Sequence, residues 1–271
     1  MTGGLLAGAG IVGTLIGSFL NVVAWRLPRG QSLSHPGSHC PKCEHPIRWW
    51  DNIPVVSWLI LRGRCRDCRE RISVRYPLIE LATALFFVGV AWWVVSTVPE
   101  RVEGATIIAL IAYLYLAAIS VALALIDIDS HKLPNKIVLP AYVVGVVLLG
   151  TASVLAADYD SLLRAAIGSA AMFLAYLLMA LAYPRGMGLG DVKLAGVLGL
   201  FLAWVGWGPL AVGAFAAFVL GGVFSIILLA LHRVGRKSGI PFGPWMLGGA
   251  WVGIFWGDII FSGYLALFGL G

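Results

Sequence analysis

Eight stretches of this chain are apolar over roughly the thickness of a bilayer, and that pattern limits the fold more than any motif does. They cover approximately 4–26, 76–98, 105–126, 137–157, 162–183, 191–205, 209–231 and 245–268. A helix needs about 17 to 25 such residues to cross roughly 30 Å of hydrocarbon. The expected fold is therefore an all-α polytopic membrane protein with about eight transmembrane helices. Composition agrees, since 60% of the 271 residues are hydrophobic and 12% are charged. A soluble domain of this length is not built that way. The sixth stretch is short, and its boundary with the seventh, at Trp204-Val205-Gly206-Trp207-Gly208-Pro209, is the least sharply marked.

The basic residues orient these spans, because short cytoplasmic loops collect Lys and Arg. Ten of the nineteen lie in one long polar segment, 26–75. Lys132, Lys136, Arg185, Lys193, Arg233, Arg236 and Lys237 fall on the same side, and only Arg101 and Arg164 on the other, beside Glu100, Glu103, Asp158 and Asp160. The basic side is expected to be cytoplasmic, with both termini outside. The net charge of +6 then reflects topology and attraction to the anionic lipid bilayer, and no nucleic-acid partner is expected. The first apolar stretch lacks a basic leader and is followed by Arg26 and Arg29. It reads as a retained first span, since a cleavable signal carries its charge in front. Gly17, Ser18 and Asn21 suit packing of this span against another helix.

All four cysteines lie in the long polar segment, as Cys40-Pro41-Lys42-Cys43 and Cys65-Arg66-Asp67-Cys68. A two-residue gap lets both thiolates of a pair point at one ion, and four sulfurs satisfy tetrahedral zinc. Disulfides are the alternative, but they rarely persist in a reducing cytoplasm. His35, His39 and His45 are nearby and read as solvated loop residues. A closed four-sulfur site has no open coordination position, so the expected zinc is structural and holds together a small domain without a core of its own. This gives three expected parts: 1–26 as the first transmembrane helix, 27–75 as the cytoplasmic zinc domain, and 76–271 as the remaining helical body.

Chemistry then has to come from elsewhere. No His-Glu-x-x-His pair or intramembrane Asp/His cluster supports metal-dependent hydrolysis. The remaining histidines, His131 and His232, lie at membrane edges, and no Gly-x-Ser-x-Gly turn accompanies them. Of the thirteen acids, Glu44, Asp51, Asp67 and Glu70 belong to the cysteine segment and four to the outer loops, leaving Glu80, Asp127, Asp129, Asp191 and Asp258. Asp127 ends the third span and Asp191 begins the sixth, so on this topology both lie at the cytoplasmic edge. Acids at such positions are functional candidates. Two carboxyl groups a few ångströms apart do not both ionise, so one acts as acid while the other activates water. Gly188 and Gly190 remove side chains where the backbone turns into a helix and where an extended peptide would approach Asp191. The competing reading is a simple helix cap, for which Asp is favoured. Asp129 competes with Asp127 for the first position, and spacing alone does not choose between them.

The chain resembles the prepilin peptidases, or type IV leader peptidases, of the Gly-x-Gly-Asp class of membrane aspartyl proteases. The residues carrying the likeness extend over nearly the whole chain. They are Gly17-Ser18-Phe19-Leu20-Asn21-Val22-Val23 with Arg26-Leu27-Pro28, both Cys-x-x-Cys pairs, and Asn52-Ile53-Pro54-Val55-Val56-Ser57-Trp58-Leu59. They continue with Arg62-Gly63-Arg64-Cys65, Arg75-Tyr76-Pro77-Leu78-Ile79-Glu80-Leu81, Ile126-Asp127 ahead of Pro134-Asn135, Gly188-Leu189-Gly190-Asp191-Val192-Lys193 and Pro241-Phe242-Gly243-Pro244. The resemblance selects Asp127 over Asp129, because the family's first catalytic Asp stands seven residues before the Pro of a Pro-Asn or Pro-Asp pair. Asp191 takes the second position, with Asp129, Gly188, Gly190, Lys193 and Glu80 in support.

What the resemblance implies is an inner-membrane peptidase that cuts prepilins and pseudopilins at the cytoplasmic face, after a Gly and before a hydrophobic helix. Members with an intact cysteine domain also methylate the new N-terminus from S-adenosylmethionine. No glycine-rich dinucleotide fingerprint is present to bind that donor, so its site would have to come from the cytoplasmic loops. Glu80 is a candidate polar residue at this face, and pairing with Arg75 or Lys193 is the structural alternative. Asp258 lies inside the eighth span and is expected to be protonated or helix-paired. The basic leader is expected near Asp127, Asp129 and Asp191, away from the arginines of 62–75. The alternative from a different class is a non-catalytic membrane scaffold whose zinc knuckle recruits partners. A proton-relaying transporter would need its acids nearer mid-membrane.

Overall fold

The computed structural model describes residues 2–97, 103–183, 186–231 and 241–269. Arg101, Arg185, His232, Arg233, Arg236 and Lys237 lie outside the described residues. Among those described there are nine α-helices and no strand: α1 (Thr2–Arg26), α2 (Val56–Ile60), α3 (Arg75–Thr97), α4 (Glu103–Ser130), α5 (Asn135–Ala156), α6 (Tyr159–Ala182), α7 (Leu189–Val205), α8 (Trp207–Ala230) and α9 (Gly243–Ala266). Seven of them, all but α2 and α7, are long and apolar enough to cross a membrane. The fold is the all-helical one expected, with one difference in the count. Helix α7, which carries the sixth apolar run, is 17 residues long and at 1.5 Å per residue spans about 25 Å. Eleven of those residues are buried, so the run's uniform apolarity reflects burial among other helices, as in any helix that is hydrophobic all round.

The eight long helices begin one to three residues before the apolar runs that announced them, because a first turn accepts polar, Gly or Pro residues without losing hydrogen bonds. One end differs more. α4 runs on to Ser130, with Ser130 Oγ bonded to the Ile126 carbonyl and His131 in the left-handed region at φ 54°. Asp127 therefore lies inside a helical turn, not at the end of the helix as its sequence position suggests.

The chain divides into two compact units, Met1–Pro99 with Tyr113–Ala122, and Glu100–Ala112 with Leu123–Gly271. In the first, α1 and α3 pack through small residues. A Cβ on Gly13 would stand 2.7 Å from the Ala84 Cα, and one on Gly17 2.8 Å from the Glu80 Cα. Asn21 Nδ2 donates to the Gly17 and Tyr76 carbonyls at 3.2 and 3.4 Å, so the polar residue of the first span serves this same contact.

In the second unit, α6 and α7 form an antiparallel pair in which Gly168 faces Gly199 and Ala203. α8 and α9 meet along Gly249, Gly253 and Gly257, opposite Ala217, Gly213 and Pro209. Spacing of four residues keeps these glycines on one face, and their missing side chains let backbones touch where no hydrophobic effect drives association. Polar residues close the helix ends. Arg164 donates to the Ala203 and Trp204 carbonyls at the end of α7, and Asp258 Oδ1 lies over the start of α8, 3.1 Å from where a Cβ on Gly208 would stand. An acid there complements the helix dipole. The outer faces carry exposed Phe215, Ile226 and Ile259, as lipid-facing helices do.

Gly253→Leu is expected to unpack α8 from α9, at a cost of about 1–3 kcal/mol or more, whereas Gly222→Leu, with open space around its Cβ, leaves stability unchanged. Thermal melting of the two variants in detergent checks this.

Candidate active site and metal centre

In the first unit the two Cys-x-x-Cys pairs build the same local structure twice. Cys40 N–H donates to the His45 carbonyl and Glu44 N–H returns to Cys40, while Cys65 N–H donates to Glu70 and Arg69 N–H returns to Cys65. Glu44 and Arg69 both take positive φ, 58° and 60°. Each knuckle thereby turns its backbone amides onto sulfur. The amides of Cys43 and Lys42 pull the Cys40 thiol down to about 6. Against the lowering pull of the Glu70 amide, burial and neighbouring thiols push Cys68 up to about 12.

All four cysteines are free, and their Sγ atoms lie within 4.8 Å of one another. Cys40 and Cys68 Sγ are 3.7 Å apart, close to the sulfur separation of about 3.8 Å implied by tetrahedral Zn–S bonds of about 2.3 Å. The cluster can hold a metal ion. His35, His39 and His45 are exposed and not part of it. The surrounding acids pair with basic residues: Asp51 accepts both Nε and Nη2 of Arg66, Glu70 pairs with Lys42, and Asp67 with Arg48. The Arg66 guanidinium holds the Asp51 carboxyl below the ordinary carboxylate value.

Glu80, 7% exposed, directs Oε2 to the backbone N–H of Val55 at 2.7 Å. Val55 takes φ 63°, a region in which a β-branched side chain is strained. Ser57 supports the turn, accepting from Ile53 N–H and donating to the Trp50 carbonyl. Glu80 thus ties a strained turn of the polar segment to α3, a role that no charge pattern announced.

In the second unit Asp127 is 5% exposed, and its Oδ2 accepts the N–H of Gly243 at 3.0 Å. Gly243 opens α9, 116 residues away. Asp191, in the first turn of α7, accepts the N–H of Gly188 through Oδ2 at 3.1 Å, one half of a capping box. The two acids are close enough for the charge of one to act on the other. Leu133 lies between their supports: a Cβ on Gly190 would stand 3.1 Å from Leu133 Cβ, and one on Gly243 3.2 Å from Leu133 Cδ2 and 2.7 Å from Asp127 Oδ2.

Gly188 adopts an ordinary extended conformation (φ −81°, ψ 150°) and Gly190 is helical, so what these glycines supply is room, for Leu133 in the case of Gly190. Lys193 Nζ donates to Asn135 Oδ1 at 3.1 Å, which joins the residue after Pro134 to the Gly-x-Gly-Asp segment. Asp129 is exposed, two residues beyond Asp127 and so turned to another face of α4. Sequence reasoning missed Gly243 as a donor to Asp127. The Pro241-Phe242-Gly243-Pro244 segment was visible, but its partner was not.

Seven membrane-length helices among the described residues define a multi-pass membrane protein. The family model described as the type IV leader peptidase family matches residues 114–226, and the one described as the bacterial peptidase A24 N-terminal domain matches residues 11–94. Proteins named prepilin leader peptidase/N-methyltransferase are 37% identical in Pseudomonas putida, covering 96% of this chain and 94% of that one, and 36% identical in Stutzerimonas stutzeri, covering 94% and 92%. Another from Neisseria gonorrhoeae is 35% identical, covering 90% and 88%. The chain belongs to the type IV leader peptidase family. No solved structure matches it.

Two outcomes are expected from this geometry. Elemental analysis of the purified chain should find about one metal ion per chain, lost when Cys40→Ser and Cys65→Ser are combined. Glu80→Leu leaves the Val55 N–H without its acceptor and should lower stability by about 1–3 kcal/mol, while Glu80→Gln, which keeps a carbonyl oxygen, should stay near the parent in a thermal melt.

Proposed function

We propose that the chain is a membrane aspartyl endopeptidase that removes the leader of type IV prepilins or pseudopilins and then N-methylates the new N-terminus. The observation that carries the reading is the buried Asp127 carboxyl, held by the Gly243 amide and near enough to Asp191 for its charge to act there. Full-length likeness to proteins named for both activities supports it. Like charges this close favour one protonated and one ionised carboxyl. The ionised member takes a proton from water as the water oxygen adds to the scissile carbonyl carbon, and the protonated member gives its proton to the carbonyl oxygen. The carbon–nitrogen bond then breaks as the first carboxyl passes its new proton to the leaving amine and a hydroxyl of the tetrahedral carbon returns a proton to the second, so that the pair again shares one proton. Gly188, Gly190 and Lys193 support this pair by position, and the exposed Asp129 is set apart from it on another face of α4. The charge distribution of the sequence supports a cytoplasmic location for the acids in a prokaryotic inner membrane.

In this reading 1–26 is the first span, 27–75 the metal domain and 76–271 the peptidase core. Zinc is the ion that best suits four thiolates with tetrahedral spacing; Cys40, Cys43, Cys65 and Cys68 would hold it, and it would supply structure only. S-adenosylmethionine, when bound, supplies the methyl group to the newly freed amine. Glu80 remains the candidate polar residue for that activity, with Oε2 already engaged by Val55. One observation favours the scaffold reading instead: the Gly188–Asp191 bond is what a simple helix cap would make.

Co-expression with a prepilin separates the two readings. Asp127→Asn and Asp191→Asn are each expected to stop leader removal, seen as retention of the longer pilin on an immunoblot, while Asp129→Asn continues to process. Survival of processing in both of the first two variants would favour the scaffold.

A further inference from the structure

Among the described residues, one buried side-chain polar atom has no hydrogen-bond partner, the hydroxyl of Tyr176 on α6. The residue is 2% exposed. Buried hydroxyls elsewhere are satisfied: Thr83 bonds to the Ile79 carbonyl, Ser153 accepts from Trp204, and Ser161 donates to Asp158. Leaving a hydroxyl dry and unpaired is unfavourable, and such an exception in a native fold calls for a reason.

Its position supplies one. Along the α6–α7 contact, Gly168 faces Ala203, Met172 faces Gly199 and Phe173 faces Gly196. One turn further along α6, the same antiparallel register sets Tyr176 against 193–195 of α7, the turn that follows Asp191. The Asp191 charge acts on the hydroxyl, yet Asp191 Oδ2 is bonded to Gly188 and no bond to Tyr176 forms. The other side of the ring meets Phe218 and Phe242, with centroids 5.7 and 6.4 Å away. Phe242 immediately precedes Gly243, the donor to Asp127. Tyr176 therefore stands between the elements that hold the two acids.

We propose that Tyr176 Oη–H is a further group of the site, a hydrogen-bond donor kept open for the carbonyl oxygen of the peptide bond presented to Asp127 and Asp191. The assignment rests on the peptidase reading above. As the water oxygen adds to the carbonyl carbon, negative charge grows on the carbonyl oxygen, and a donor already in place stabilises it without reorganisation. Tyr176 keeps its proton throughout; the protons that move are those of water and the two carboxyl groups. A hydroxyl unsatisfied at rest and satisfied only as that charge develops contributes to rate more than to substrate affinity.

Tyr176→Phe removes one oxygen and retains the ring contacts with Phe218 and Phe242. With the full chain purified in detergent and a prepilin as substrate, kcat for leader removal should fall about 100-fold, with KM changed by less than about twofold. Methylation of an already cleaved pilin should be unchanged, and Tm equal or higher. A kcat near the parent value overturns the proposal, as does a joint loss of cleavage, methylation and Tm, which would make the hydroxyl structural. Asp127→Asn measured alongside tells the failures apart. An active Asp127→Asn variant means the aspartyl reading of the site is wrong, whereas an inactive one beside a normal Tyr176→Phe variant removes only Tyr176.

Discussion

Hydrocarbon offers no water to an unpaired amide or carboxylate, and the structure is organised around that constraint. Helices satisfy their own backbones except over the first and last turns, so polar side chains gather at those turns. Arg164 closes the end of α7, Asp258 covers the start of α8, Asp191 caps α7 at its beginning, and Asp127 receives the first amide of α9. The same constraint explains the glycines. Where lipid is as apolar as leucine, helices associate by close contact, and Gly168, Gly199, Gly249 and Gly253 permit backbone to meet backbone.

The acid pair illustrates how such a body can support chemistry. Each carboxylate has one oxygen held by a backbone amide, but the two bonds differ in kind. Asp191 is held by its own helix start, a local bond that forms whenever α7 forms. Asp127 is held by Gly243 from the far end of the chain, a bond that exists only when α4 and α9 are both in place. The site is thus complete only in the folded second unit. Leu133 fills the space beside Gly190 and Gly243, which keeps the supports of the two acids packed together.

The cysteine segment meets the small-domain problem differently. It has few buried apolar side chains, with Cys40 among them, and Trp49 and Trp50 are exposed. Its order comes from two copies of one knuckle, three ion pairs and a four-sulfur cluster suited to a metal. Exposed ion pairs contribute little stability each, so the cluster is the strongest constraint available to it.

Much of this was legible in the chain itself. Apolar runs announced every long helix, because an interval of about twenty uncharged residues has few other uses. The cysteine cluster was equally plain, since its ligands lie within local turns whose spacing the chain displays. For the acids, the residues themselves left Asp127 and Asp129 open, and resemblance to a family chose between them. The folded chain adds a physical difference: burial for Asp127 and exposure for Asp129, one helical face apart. Tertiary structure alone decided that α7 is enclosed, that Gly243 donates to Asp127, that Glu80 turns to Val55, and that the Tyr176 hydroxyl is buried and unpaired. A sequence determines by itself what neighbouring residues do to one another, through spacing, apolarity and local hydrogen bonds. Contacts across tens or hundreds of residues depend on which helix faces meet, and that is settled only when the whole set of spans packs together.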